Sequence, residues 1–135
     1  MASLAVLLKL RGHIVSGSDE NVYPPMSDFL AENNVAVHKG FSPKNLEPLP
    51  DLVVIGNALS RGNPEIEAIL DLKLPYISMS ELLKEHFIRG KKSLVVTGTH
   101  GKTTTTSMLA WVFETAEKAP GFMIGGIAEN FGTSC

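Results

Sequence analysis

Leu94-Val-Val-Thr-Gly-Thr-His-Gly-Lys-Thr-Thr-Thr-Thr106 decides how the rest of the chain is read. An apolar run enters a short loop punctuated by two glycines and leaves as a helix. Leu94 to Val96 suits a strand buried on both faces, as in a parallel sheet. Gly98 and Gly101 let the backbone turn tightly, and a helix starting near Lys102 aims unpaired N–H groups and the positive end of its dipole into the loop. An anion is the natural occupant. Lys102 would reach the β- and γ-phosphates as a point charge, and the Thr103 hydroxyl is placed to ligate the Mg²⁺ that accompanies a nucleoside triphosphate, which makes ATP the first candidate. The general phosphate-loop pattern places a glycine five residues before Gly101. Val96 stands there instead, and the glycine has moved to Gly98. The plain alternative is a strand-to-helix turn without a ligand, but turn chemistry alone does not call for Lys-Thr-Thr directly after the second glycine.

Outward from the loop, composition bounds the function. The 135 residues are 44% hydrophobic and 19% charged, an ordinary globular balance of about one domain's length. A net charge of -2 gives no electrostatic case for binding nucleic acid or an anionic membrane surface. The only cysteine is Cys135, which fits a reducing cytoplasm and allows no internal disulfide. No apolar run approaches the roughly 18 residues a membrane span needs, and the N-terminus lacks the basic start and cleavage site of a secretory signal.

Toward the N-terminus the chain alternates strands and helices. Ala2 to Leu10 is apolar nearly all round and closes on Lys9, Arg11 and Gly12, the signature of a helix end. In a doubly wound fold such a helix follows a first strand and a glycine-rich turn, so the reading is of a sheet that lacks its first strand, in a chain truncated at its N-terminus. His13 to Ser16 reads as a strand leading into Gly17-Ser-Asp19, where an acidic residue just past a strand can hold ribose hydroxyls. A turn-capping role for Asp19 is the alternative. Met26, Phe29 and Leu30 mark a short helix, Val35 to His38 a strand, and 39–50 a proline-rich loop. Leu52 to Ile55 is a strand ending in Gly56-Asn-Ala58, where a parallel sheet offers its carboxyl edge to ligands. Asn63-Pro-Glu65 is a helix start, and Ser78 with Glu81 can form a capping box for a helix reaching Gly90. Residues 1–90 thus form a first domain. Residues 91–135 begin a second, with a strand at 94–96, a helix presenting Met108, Leu109, Val112, Phe113 and Ala116, and a strand at 122–124.

The loop Thr97-Gly-Thr-His-Gly-Lys-Thr103, taken with its flanks, resembles the variant phosphate loop of the Mur ligase family, the ATP-dependent enzymes that build peptidoglycan precursors. Gly17-Ser-Asp-Glu-Asn-Val-Tyr-Pro-Pro-Met26, Ile55-Gly-Asn-Ala58 with Arg61-Gly-Asn-Pro64, and Pro120-Gly-Phe-Met-Ile-Gly-Gly126 are similar to the branch that acts on a murein tripeptide. The L-alanine-adding branch shares Gly-Ser-Asp and Thr-His-Gly-Lys-Thr, but is expected to carry Ser-Ser-Ala in place of Gly56-Asn57-Ala58 and no Tyr-Pro-Pro.

The resemblance implies an α/β architecture: a Rossmann-like, parallel-sheet, UDP-sugar-binding domain over 1–90, then the start of the ATP-binding central domain. It implies an amide ligase of peptidoglycan recycling that activates UDP-N-acetylmuramate with ATP and Mg²⁺ and joins it to L-Ala-γ-D-Glu-meso-diaminopimelate. Position by position, Gly98, Thr99, His100, Gly101, Lys102, Thr103 and Thr104 match the ATP loop. Lys102 and His100 are the catalytic candidates, Thr103 is the metal ligand, and Ser18, Asp19 and Asn57 lie on the nucleotide-sugar side. His100 as a loop filler remains the alternative for that residue, and the other histidines read as structural or exposed. The family's N-terminal glycine-rich loop, its acidic metal ligands, its modified lysine and its C-terminal domain have no counterpart here, so activity is expected of a longer parent. Two other classes stay open: a non-catalytic nucleotide switch, and a phosphate-loop kinase or GTPase.

Overall fold

Helix caps fall where the sequence places them, and strand register accounts for most of what departs from these expectations. A computed structural model describes residues 1–57, 61–125 and 131; Ala58, Gly126 and Cys135, which enter the motifs above, lie outside the described residues. The chain divides into two units, Met1–Lys92 and Ser93–Cys135.

In the first unit α1 (Ala2–Leu10) leads into β1 (Ser16–Asp19), α2 (Met26–Glu32) and β2 (Ala36–Lys39), followed by β3 (Val53–Ile55), α3 (Pro64–Asp71), β4 (Tyr76–Ser78) and α4 (Met79–Leu83). A 3₁₀ turn, Pro43–Leu46, interrupts the loop after β2, and α4 continues as a π-helical turn, Lys84–Ile88. β1 pairs with β2 and β3 with β4, both in parallel, each pair joined through one helix. The parallel α/β order expected from sequence is present as two two-stranded ladders.

The helices start where local chemistry tells them to. The Asn63 side chain accepts the N–H groups of Glu65 (3.0 Å) and Ile66 (3.2 Å), with Pro64 in the first position. Ser78 and Glu81 form the reciprocal capping box. α1 stops at Arg11 and Gly12, with Gly12 at φ +91°, a conformation that suits glycine.

β1 lies three residues later than its apolar pattern predicts. Val35 is drawn into the core and its N–H is bonded to the Leu30 carbonyl (2.9 Å), so β2 cannot begin before Ala36. Ala36 pairs with Ser16, which leaves His13 to Val15 with nothing opposite; Ile14 is fully exposed. Asp19 is therefore the last residue of β1 and not the first beyond it. The core of this unit gathers Val6, Phe29, Leu30 and Val35, with Ala2, Ala5, Val15, Val22 and Met26 packed against it. Leu4, Ile69 and Leu82 are the largest fully buried side chains.

The second unit contains α5 (Lys102–Thr115) and, among its described residues, no strand. The runs at 94–96 and 122–124 that read as strands pair with no described residue. Leu94 and Val95 are exposed. An apolar run becomes a strand only where a ladder accepts its N–H and C=O groups, and no described segment of this unit offers one. The expected face of α5 is present only in part: Leu109 and Phe113 are half-buried, whereas Met108, Val112 and Ala116 are exposed and Ala110 is buried. Trp111 and Phe122 both meet Phe131, at ring-centroid distances of 5.7 Å and 4.5 Å.

Candidate functional site

The loop before α5 is built on two glycines. Gly98 adopts φ +153° and Gly101 φ +76°, both within the range that side-chain-bearing residues rarely occupy. Gly101 is also the N-cap of α5. It offers no side chain to the helix, no other side chain caps that end, and the first turn holds no acid. The positive end of a 14-residue helix thus opens onto Thr99, His100 and Gly101, all of them exposed.

Lys102 folds back over this loop. Its Nζ donates to the carbonyls of Gly98 (2.7 Å) and Thr99 (3.1 Å), which holds the ammonium above the turn. Thr106 Oγ1 donates to the Lys102 carbonyl (2.8 Å) and Ser107 Oγ to the Thr103 carbonyl (2.9 Å), so hydroxyls of the second turn bond back along the helix. Thr103 and Thr104 lie exposed on the first turn. The arrangement suits a phosphate: helix N–H groups and one exposed cation, with no carboxylate in the first turn. Among the described residues no group of three or more His, Cys, Asp or Glu could hold a metal ion. A Mg²⁺ here would take Thr103 as its ligand from the loop and draw the rest of its shell from phosphate oxygens and water, the usual preference of that ion.

The first unit presents the other sequence-predicted residues at strand ends. Asp19 Oδ1 accepts the Asn21 N–H (3.0 Å), a turn-closing bond, and the carboxylate is exposed. Asn57 follows β3 and lines a pocket of about 320 Å³ with Ile55, Gly56, Tyr76, Ser78 and Glu81. Ser18 and Asp19 do not line that pocket. Beside them a second pocket, about 360 Å³, is walled by Glu20, Asn21, Tyr23, Leu30, Val37 and Lys39.

Ser18 is held by a residue that the sequence reading passes over. Asn45 Nδ2 donates to Ser18 Oγ (3.2 Å), to the Gly40 carbonyl (3.0 Å) and to Glu65 Oε2 (3.1 Å). Glu65 Oε2 also accepts the Ser42 N–H (3.2 Å). One available signal was Ser42-Pro43, a cap and a first-turn proline inside what reads as plain loop. Ser42 Oγ accepts the Lys44 N–H, and the buried Leu46 fixes the turn that carries Asn45.

The family model for the Mur ligase family, catalytic domain, matches residues 1–91, and that for the Mur ligase middle domain matches 96–134. The chain belongs to the Mur ligase family. It is 48% identical over 134 residues to UDP-N-acetylmuramate–L-alanyl-gamma-D-glutamyl-meso-2,6-diaminoheptandioate ligase of Haemophilus influenzae, covering 99% of this chain and 30% of that protein. The crystal structure of UDP-N-acetylmuramate:L-alanyl-gamma-D-glutamyl-meso-diaminopimelate ligase from Neisseria meningitides matches with a TM-score of 0.93 at 50% identity, over 99% of this chain and 42% of that one. UDP-N-acetylmuramate-alanine ligase from Thermotoga maritima matches with a TM-score of 0.88 at 29% identity, over 99% and 31%. The chain spans about 30% of the length of the curated relatives it matches. Among the described residues no helix is long and apolar enough to cross a membrane.

Proposed function

We propose that these residues form the UDP-sugar-binding and ATP-binding parts of a ligase that joins L-Ala-γ-D-Glu-meso-diaminopimelate to UDP-N-acetylmuramate, in peptidoglycan recycling in the cytoplasm. The observation that carries the reading is the uncapped, acid-free start of α5 with Lys102 folded over two loop carbonyls. It is supported by the names of the relatives. Identity falls from 50% with the tripeptide ligase structure to 29% with the alanine ligase structure, which favours the tripeptide branch.

Residues 1–90 take the role of the UDP-sugar domain and 91–135 that of the ATP domain. ATP with Mg²⁺ supplies the phosphoryl group that turns the muramate carboxylate into an acyl phosphate, which the tripeptide amine attacks with loss of phosphate. The chain's own contribution is positioning and charge. Lys102 exchanges its carbonyl partners for phosphate oxygens, the α5 N–H groups and those of Thr99 to Gly101 hold the same group, Thr103 ligates the ion and Thr104 completes the first turn. His100, exposed in the loop, faces the phosphates or the substrate acid in this reading. Ser18, Asp19 and Asn57 hold the nucleotide sugar.

Lys102→Ala tests this in the complete ligase. Tripeptide-dependent phosphate release should fall by roughly a hundredfold or more, the scale for removing one preorganised charge partner. The melting temperature should not move, because Lys102 is exposed. Turnover close to wild type would overturn the reading.

A further inference from the structure

We propose that Asn45 is a positioning residue of the nucleotide-sugar site, fixing the Ser18 hydroxyl as a hydrogen-bond donor toward a ligand oxygen. The inference rests on the reading of Ser18 as a substrate-binding residue and extends it to a residue and a polarity.

The polarity follows from counting hydrogens. An asparagine NH₂ carries two N–H donors and no acceptor, so Asn45 Nδ2 shares its two hydrogens among three acceptors, Gly40 O, Glu65 Oε2 and Ser18 Oγ. Ser18 can only accept from it. A serine hydroxyl has one hydrogen, so the Ser18 proton must point away from Asn45. The group that meets it is an acceptor oxygen, such as those of a phosphate, carboxylate or carbonyl.

Asn45 is in turn held from both sides. The Gly40 carbonyl lies just after β2, and Glu65 lies in the first turn of α3, whose start Asn63 caps. Glu65 Oε2 accepts a second bond from the Ser42 N–H, at the head of Asn45's own turn, so amide and carboxylate brace one another. All four side chains, Ser18, Ser42, Asn45 and Glu65, are partly buried, where bonds are less diluted by water than on an open surface. The two bonds span 27 and 20 positions in sequence, and together they tie the carboxyl end of β1 to the start of α3.

The test is a double-mutant cycle between Asn45→Ala and Ser18→Ala, read as affinity for UDP-N-acetylmuramate by calorimetry on the complete ligase. If Asn45 acts through Ser18, each single variant loses roughly tenfold, the scale of one hydrogen bond, and the double variant loses no more than Ser18→Ala alone. Multiplying losses would show Asn45 to be a structural brace only and would overturn the proposal while leaving the site reading standing. Unchanged affinity in Ser18→Ala, with wild type binding normally, would overturn the reading of Ser18 and the proposal together. Should Asn45→Ala lack a cooperative melt, Asn45→Asp, of nearly the same volume but without the N–H donors, takes its place in the cycle and is held to the same outcomes.

Discussion

The two units use their apolar residues differently. In Met1–Lys92 the parallel ladders give the helices a floor, and Leu4, Val6, Phe29, Leu30, Val35, Leu46, Ile69 and Leu82 are buried. In Ser93–Cys135 the buried apolar residues among those described are Ala110 and Ile124, while Val95 is 78% exposed and Val112 60%. The loop before α5 belongs to the second kind of region. Its shape comes from glycine conformations and from the bonds of Lys102, both of them local, and not from a packed core beneath it. A glycine loop can thus be well formed where the surrounding packing is sparse.

The contrast is most easily broken by truncating one side chain on each side. Ile69→Ala removes a fully buried group and should cost about 2–5 kcal/mol in urea unfolding. Val112→Ala removes exposed methyls and should stay within about 0.5 kcal/mol. Comparable losses would mean that Val112 is packed in solution and that the second unit is better consolidated than its exposed apolar residues indicate.

A smaller effect sharpens the same comparison at helix starts. Asn63→Ala removes the acceptor that satisfies two N–H groups of α3 and should cost about 1 kcal/mol. α5 has no such side chain to remove, and an aspartate or serine at Gly101 would both strain the backbone at φ +76° and compete for the N–H groups proposed to hold phosphate. A cap substitution at Asn63 without measurable cost would imply that tertiary packing alone holds α3 in place.

Local features were legible in the sequence to within a residue. Asn63-Pro64 and Ser78 with Glu81 mark helix starts because both partners lie within one turn of each other. Gly98 and Gly101 signalled the loop because unusual backbone conformations select glycine. Strands were less legible, since register belongs to a pair. His13 to Ser16 has the better apolar pattern, yet β1 forms at Ser16–Asp19, in register with a β2 that starts at Ala36 once the core takes Val35. Leu94 to Val96 declares a preference for burial without naming a partner. Asn45 was invisible for the opposite reason: an asparagine after Ser-Pro reads as turn chemistry, and its partners Ser18 and Glu65 lie far away in sequence.

The smallest effect lies at the end of the first unit, on the π-helical turn. Arg89 donates to the Glu85 carboxylate one turn away, and that hydrogen bond holds the Glu85 carboxyl below its ordinary range against an opposing desolvation, with lesser help from the charges of Arg89 and Lys84. A carboxyl group depressed in the folded state stabilises the fold above its unfolded pKa, and that contribution disappears as pH falls through the folded value. The pair is exposed and water screens it, so its contribution to melting at neutral pH should be smaller than that of the Asn63 cap. Arg89→Gln should therefore return Glu85 to an ordinary carboxylate titration, followed by NMR of its side-chain carbon, and shift the acid side of the stability curve only slightly. A large loss of stability at neutral pH in that variant would show that the turn depends on Arg89 for more than charge, through the aliphatic part of the side chain.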